Sequence, residues 1–135
     1  MAIVLVVDDD PTIRAIATEL LREEKHAIVE AADGDEALRV LEATAAQLVV
    51  LDMLMPNRDG LETIIEIRRR FPGVKILAIS SGGSMGVGNL LAMARTFGAD
   101  ETMAKPLSFT GFASTVNRLL DDTEQRSPGP FAARA

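Results

Sequence analysis

No cysteine, tryptophan or tyrosine occurs in this 135-residue chain, and His26 is its only histidine. Without cysteine there are no disulfides, no thiolate nucleophile and no thiolate-bound zinc, and one histidine cannot build a multi-histidine metal centre or a histidine relay. His26 reads as a surface residue at the start of a strand. Basic charge is also scarce, with 14 Lys and Arg against 20 Asp and Glu and a net charge of −6. That balance argues against direct nucleic-acid binding. The one basic run, Arg68-Arg69-Arg70, reads as a solvated helix end favoured by the dipole. No apolar run approaches the ~20 residues needed to cross a bilayer, and Met1-Ala2 lead into an apolar segment without a basic leader. The expectation is a soluble, cytoplasmic protein with no membrane contact.

What is present is aliphatic. Hydrophobic residues make up 47% of the chain with only five Phe, so the core must be built from Val, Ile, Leu, Ala and Met. Five apolar runs alternate with five segments of helical periodicity, the signature of an α/β fold with a doubly wound parallel sheet covered on both faces. The predicted strands are residues 2–7, 27–30, 48–51, 75–79 and 101–104. Asp10 and Pro11 open the first helix as cap and first residue, with Ile13, Ile16, Ala17, Leu20 and Leu21 facing inward. Asp33-Gly34 precede a second helix with Ala37, Leu38 and Leu41 inward. A third runs from Leu61 through Ile64, Ile65 and Arg68 until Phe71-Pro72-Gly73 ends it. Leu90, Leu91, Ala94 and Phe97 mark a fourth helix after a glycine-rich stretch. The fifth follows Pro106, capped by Ser108, with Phe112, Val116, Leu119 and Leu120 on one face. One domain over residues 1–120 is expected, followed by a short disordered tail over 121–135.

Polar groups follow four of the five strands: Asp8-Asp9, Asp52, Ser80 and Lys105. In an open parallel sheet these strand ends share the edge where ligands bind. Three carboxylates crowded there repel one another, and two unit charges ~4 Å apart cost on the order of 4 kcal/mol at an effective dielectric of ~20. Such a cluster demands a cation. Its donors are hard oxygens, so Mg²⁺ is the natural choice, with Mn²⁺ or Ca²⁺ as substitutes. Acids, a lysine and a hydroxyl around a metal suit phosphoryl transfer, with Asp52 as the oxygen nucleophile and Lys105 and Ser80 on the phosphoryl oxygens. Ser81 replaces Ser80 if the strand ends one residue later, although the interval to Lys105 favours Ser80. Asp10 reads as a helix cap, and Asp59-Gly60 as a turn opening a helix.

Taken together, Val6-Val7-Asp8-Asp9, Asp52-x-x-Met55-Pro56-x-x-Asp59-Gly60, Ser80 and Lys105-Pro106 resemble the motif set of bacterial two-component response-regulator receiver domains. Each motif alone is weak; their order and strand-end placement over residues 2 to about 120 carry the likeness. The resemblance implies a flavodoxin-like fold of five strands in order 2-1-3-4-5 with five helices, here a stand-alone receiver of the chemotaxis type. It implies that Asp52 is phosphorylated from a sensor histidine kinase, a histidine phosphotransfer protein or a small phosphodonor. The receiver would supply Mg²⁺-dependent self-catalysis and autodephosphorylation without being an enzyme in the ordinary sense. Asp9 would ligate the metal directly, Asp8 through bound water, Asp52 through a carboxylate oxygen and Leu54 through its backbone carbonyl. Lys105 would pair with the phosphoryl group, Ser80 would sense it, and Pro106 would shape the adjoining loop. Output would pass to a protein target over the fourth helix, fifth strand and fifth helix, or onward in a relay, from a monomer or weak dimer.

Two positions depart from that pattern. Receivers usually carry Tyr or Phe three residues before the lysine, whereas Thr102 stands there, so the aromatic half of the usual switch is degenerate. Leu54 and Gly82 occupy the positions that tune hydrolysis of the aspartyl phosphate in this family, and neither can orient a water, which implies slow self-dephosphorylation. Two rival functions remain at this point. One is a haloacid-dehalogenase-type phosphatase, against which stand the consecutive acids after the first strand. The other is a receiver-like scaffold that is never phosphorylated.

Overall fold

The computed structural model describes residues 2–53, 60–81, 87–105 and 109–126. Strands and helices alternate strictly: β1 (Ile3–Val7), α1 (Pro11–Arg22), β2 (Ala27–Ala31), α2 (Gly34–Ala43), β3 (Leu48–Asp52), α3 (Gly60–Arg70), β4 (Lys75–Ser81), α4 (Val87–Phe97), β5 (Glu101–Lys105) and α5 (Phe109–Arg126). The five strands form one parallel sheet in the order β2-β1-β3-β4-β5, as expected for the flavodoxin-like class.

Strand alternation divides the core in two. Leu5, Val7, Val49, Leu51, Ile76 and Ala78 point to the face covered by α2, α3 and α4, where Leu38, Ile64, Ile67 and Ala94 meet them. Val4, Val6, Leu48, Val50, Leu77 and Ile79 point to the face covered by α1 and α5, where Leu21, Phe112 and Val116 meet them. Every residue of β3 is buried, as befits the middle strand of a sheet covered on both faces. Phe112 is the largest fully buried side chain, and truncating an aromatic in such a site costs roughly 3–5 kcal/mol.

Local signals start α1 and α2 as read. Asp10 accepts a hydrogen bond from the Thr12 amide and Pro11 is the first helical residue. Asp33 accepts from the Glu36 amide at 2.8 Å while Glu36 accepts from the Ala32 amide at 2.7 Å, a reciprocal cap on α2.

Four expectations are corrected. Ile16 and Ile65 are each nearly half exposed, because Ala17 with Leu21 and Ile64 with Ile67 already occupy the inward stripes of α1 and α3. Arg68 is no solvated helix end: it donates to the carbonyls of Gly98 (2.8 Å) and Val74 (2.6 Å) and pairs with Asp100. A Cβ on Gly98, whose φ is +131°, would lie 2.7 Å from Arg68 Cγ, so this close approach requires glycine. His26 is half-buried, its Nε2 lying 2.8 Å from Asn117 Oδ1 of α5. Finally, α5 continues to Arg126, beyond the Asp121 boundary at which a disordered tail was expected. Its apolar stripe does stop at Leu120, yet Glu124, Gln125 and Arg126 are good helix formers that extend the helix. The remaining tail residues, 127–135, lie outside the described residues.

Candidate functional site

Strand order reverses between β1 and β3, and in such sheets the crevice beyond the carboxyl ends of those strands is the place for a ligand. The registers Val7↔Leu51 and Asp52↔Ile79 bring the ends of β1 and β3 level, so Asp8 and Asp52 emerge side by side, and Ser80 follows the β4 partner of Asp52 by one residue. One carboxylate oxygen from each of Asp8, Asp9 and Asp52 lies within 4.8 Å of the others. Asp8 and Asp52 are 1% and 3% exposed, whereas Asp9 faces solvent.

Lys105, the last residue of β5, extends its ammonium into this cluster, 2.9 Å from Asp8 Oδ2 and 3.7 Å from Asp52 Oδ1. One ammonium against three carboxylates leaves the cluster anionic. Its donors are all carboxylate oxygens on two adjacent strand ends, with no histidine or thiolate among them, which fits a hard divalent cation such as Mg²⁺.

Asp8 is held on every polar atom. Its amide donates to the Ala31 carbonyl of β2 (3.1 Å), its Oδ1 accepts from the Asp10 amide (2.9 Å) and its Oδ2 takes Lys105. Its carbonyl accepts from Arg14 Nη1 at 2.6 Å. Arg14 had no sequence signal of its own, since a lone arginine in the first turn of a helix reads as a solvent-facing residue.

Ser80 is completely buried, and its Oγ finds no hydrogen-bond partner among the described residues. An unpaired buried hydroxyl is expensive and uncommon. Ser80 is the penultimate residue of β4, which runs to Ser81 and so ends later than the expected residue 79; the side chain of Ser81 lies outside the described residues. Asp10 is the α1 cap and not a member of the cluster.

Gly60 proves to have a tighter duty than a turn. A Cβ there would lie 2.6 Å from Met53 Cα, while its amide donates to the Met53 carbonyl at 3.2 Å. The start of α3 therefore presses directly on the main chain next to Asp52. Thr102 is half-buried on β5, its Oγ1 3.4 Å from Arg95 Nη2 of α4. Arg95 and Arg118 both pair with Glu101, at 2.7 and 3.1 Å, joining α4, β5 and α5 through one carboxylate. Those guanidiniums, Arg95 foremost, hold the Glu101 carboxyl below the usual carboxylate range. Leu54, Gly82, Pro106 and Ser108 lie outside the described residues.

Comparison with known proteins agrees with this geometry. The family model described as the response regulator receiver domain matches residues 4–117. The transcriptional regulatory protein PdtaR of Mycobacterium tuberculosis is 38% identical over 116 residues, covering 84% of this chain and 54% of that protein. The chain thus spans about half the length of that curated relative. Among solved structures, a CheY-like receiver domain protein from Methanospirillum hungatei superposes with a TM-score of 0.86 over 94% of this chain and 99% of its own, at 24% identity. NtrX from Brucella abortus does so with a TM-score of 0.86 over 93% of this chain and 28% of its own, at 29% identity. Among the described residues no helix is long and apolar enough to cross a membrane.

Proposed function

This chain belongs to the response regulator receiver domain family, and on that premise we propose that it is a phosphorylation switch of two-component signalling with Asp52 as the phosphoacceptor. The observation that carries the reading is the convergence of the Asp8, Asp9 and Asp52 oxygens within 4.8 Å, with Lys105 Nζ reaching both Asp8 and Asp52.

In the proposed reaction an Asp52 oxygen attacks the phosphorus of a phosphohistidine on a sensor kinase or histidine phosphotransfer protein. The P–O bond of an acyl phosphate forms as the P–N bond breaks, and the imidazole leaves as a neutral ring after taking up a proton. Asp8, Asp9 and Asp52, with the Leu54 carbonyl as a fourth donor, would hold Mg²⁺, or Mn²⁺ or Ca²⁺ in its place. When bound, the cation offsets negative charge on the carboxylates and the transferring group. Lys105 exchanges its contact with Asp8 for a phosphoryl oxygen, and the unpaired Ser80 hydroxyl donates to another. We place the receiver in the cytoplasm, as a monomer or weak dimer, with output through α4, β5 and α5 to a protein target or onward in a relay. Catalysis is confined to the chain's own phosphorylation and dephosphorylation. Neither rival is favoured, since the family match covers residues 4–117 and the acids and lysine of the site stand together.

Incubation with a small acyl phosphate and Mg²⁺, followed by intact mass measurement, is the test. A gain of one phosphoryl group is expected that disappears in Asp52→Asn, on chelation of Mg²⁺ and on hydroxylamine treatment. Steady release of phosphate from a generic phosphomonoester, or labelling that survives Asp52→Asn, would overturn the assignment.

A further inference from the structure

Arg14 is 20% exposed at its side chain and spends its guanidinium in two directions. Nη1 donates to the Asp8 carbonyl at 2.6 Å and Nε donates to Glu30 Oε1 at 3.0 Å, while Thr18 Oγ1 lies 3.5 Å from Glu30 Oε2. Glu30 belongs to β2, where it pairs with Val6 of β1. A chain of contacts therefore runs from the second strand, through the first helix, to the main chain of an acid in the site. Asp8 is buried just past the end of β1, a buried carbonyl needs a partner, and Arg14 supplies one to the Asp8 carbonyl.

Resting on the reading of this cluster as a cation-binding phosphoacceptor site, we propose that Arg14, oriented by Glu30, is a positioning residue that fixes the Asp8 main chain and keeps the three carboxylates gathered for a divalent cation. The fork geometry matters. A guanidinium can hold a carbonyl on one edge and a carboxylate on another in a fixed plane, whereas a lysine ammonium has no such fixed fork. Glu30 also balances the charge of Arg14, so the bracing adds little positive potential beside the cation site. These contacts lie outside the acidic cluster itself, as partners that orient a ligating residue do in metal sites generally.

The sign of the mutational effect separates positioning from mere charge. If Arg14 acted only as a nearby positive charge, removing it would relieve repulsion and tighten Mg²⁺ binding. As a positioning residue it must do the opposite when lost. Mg²⁺ titration of the full chain by calorimetry, with amide spectra to report the folded state and urea unfolding in chelator to report stability, decides between them. Arg14→Ala is expected to weaken Mg²⁺ about 10-fold. Arg14→Lys, which keeps the charge and the fold, is expected to restore only part of that loss. Glu30→Gln is expected to weaken Mg²⁺ in the wild-type background but not in the Arg14→Ala background, where there is nothing left to orient. Mg²⁺ affinity that is unchanged or tighter in folded Arg14→Ala, or unchanged in Arg14→Lys, overturns the proposal. No saturable Mg²⁺ binding by the wild-type chain would instead overturn the site reading on which it rests.

Discussion

Ser80 and Asp8 stand a strand apart and are opposites in hydrogen bonding: every polar atom of Asp8 is engaged, whereas the buried Ser80 hydroxyl has no partner among the described residues. A buried polar group left unpaired costs about 1–3 kcal/mol, and removing it along with its need for a partner can be neutral or stabilising. Ser80→Ala is therefore expected to raise stability in urea by about 1 kcal/mol at unchanged slope, while reducing the amide shifts produced by beryllofluoride and Mg²⁺. A loss of stability together with full shifts would show that the hydroxyl serves the resting fold and not the response. The meeting of Asp8, Asp9, Asp52 and Lys105 was legible in the sequence because these residues follow apolar runs, and a parallel sheet brings such ends to one edge. Arg14 and Gly60 were not. The partner of Arg14 is a backbone carbonyl, which no side-chain pattern reveals, and the constraint on Gly60 comes from Met53 Cα seven residues away.

Among the elements, α4, β5 and α5 are tied at a single carboxylate, with Arg95 and Arg118 converging on Glu101 beside the residue that replaces the usual aromatic. Glu101 has a lowered carboxyl pKa in the fold, through Arg95 first, with Arg118 assisting against the opposing effect of burial. The depressed value means that its contribution to stability is present above the unfolded value of about 4.3 and is lost as pH falls through the lower folded value. Glu101→Gln is expected to lower the melting temperature slightly at pH 7, and this difference should shrink as pH falls below the unfolded value, vanish below the lower folded value, and shrink in high salt, since both arginines are more than half exposed. A difference that persists in acid would assign the effect to packing. The order of the elements was legible from alternating apolar runs and caps, and the strand registers agree with it. Harder to read were their edges: β4 reaches Ser81 and α5 reaches Arg126, because backbone hydrogen bonding continues past the last apolar residue. Which isoleucine faces inward was equally obscure, since adjacent candidates such as Ile64 and Ile65 differ only by one step of helical rotation.

At the scale of the whole molecule, a net charge of −6 is carried by a chain that gathers three of its acids at one sheet edge, so the site adds locally to a repulsion already felt globally. A folded state of this kind gains from any cation that it binds and the unfolded chain does not. The gain is RT ln(1 + [L]/Kd), about 2.7 kcal/mol at a hundredfold excess over Kd, which for a domain of this size moves the melting temperature by on the order of 10 °C. Mg²⁺ is thus expected to raise the melting temperature saturably, Mn²⁺ and Ca²⁺ to do so less or at other concentrations, and chelator to reverse the shift. Screening of the net charge would stabilise the fold as well, but it would follow ionic strength, would not saturate at low Mg²⁺ and would act equally on a variant lacking the site. Asp9→Ala makes the distinction, because Asp9 is exposed and its removal leaves the buried Asp8–Lys105 pair in place. Its melting temperature in chelator should equal or exceed that of the wild type, since one of three repelling carboxylates is gone, while its response to Mg²⁺ should fall to that seen with NaCl of matched ionic strength. A full, saturable Mg²⁺ shift retained in Asp9→Ala would mean that the cation is held elsewhere on the molecule and that the crowding of acids at the sheet edge has another cause.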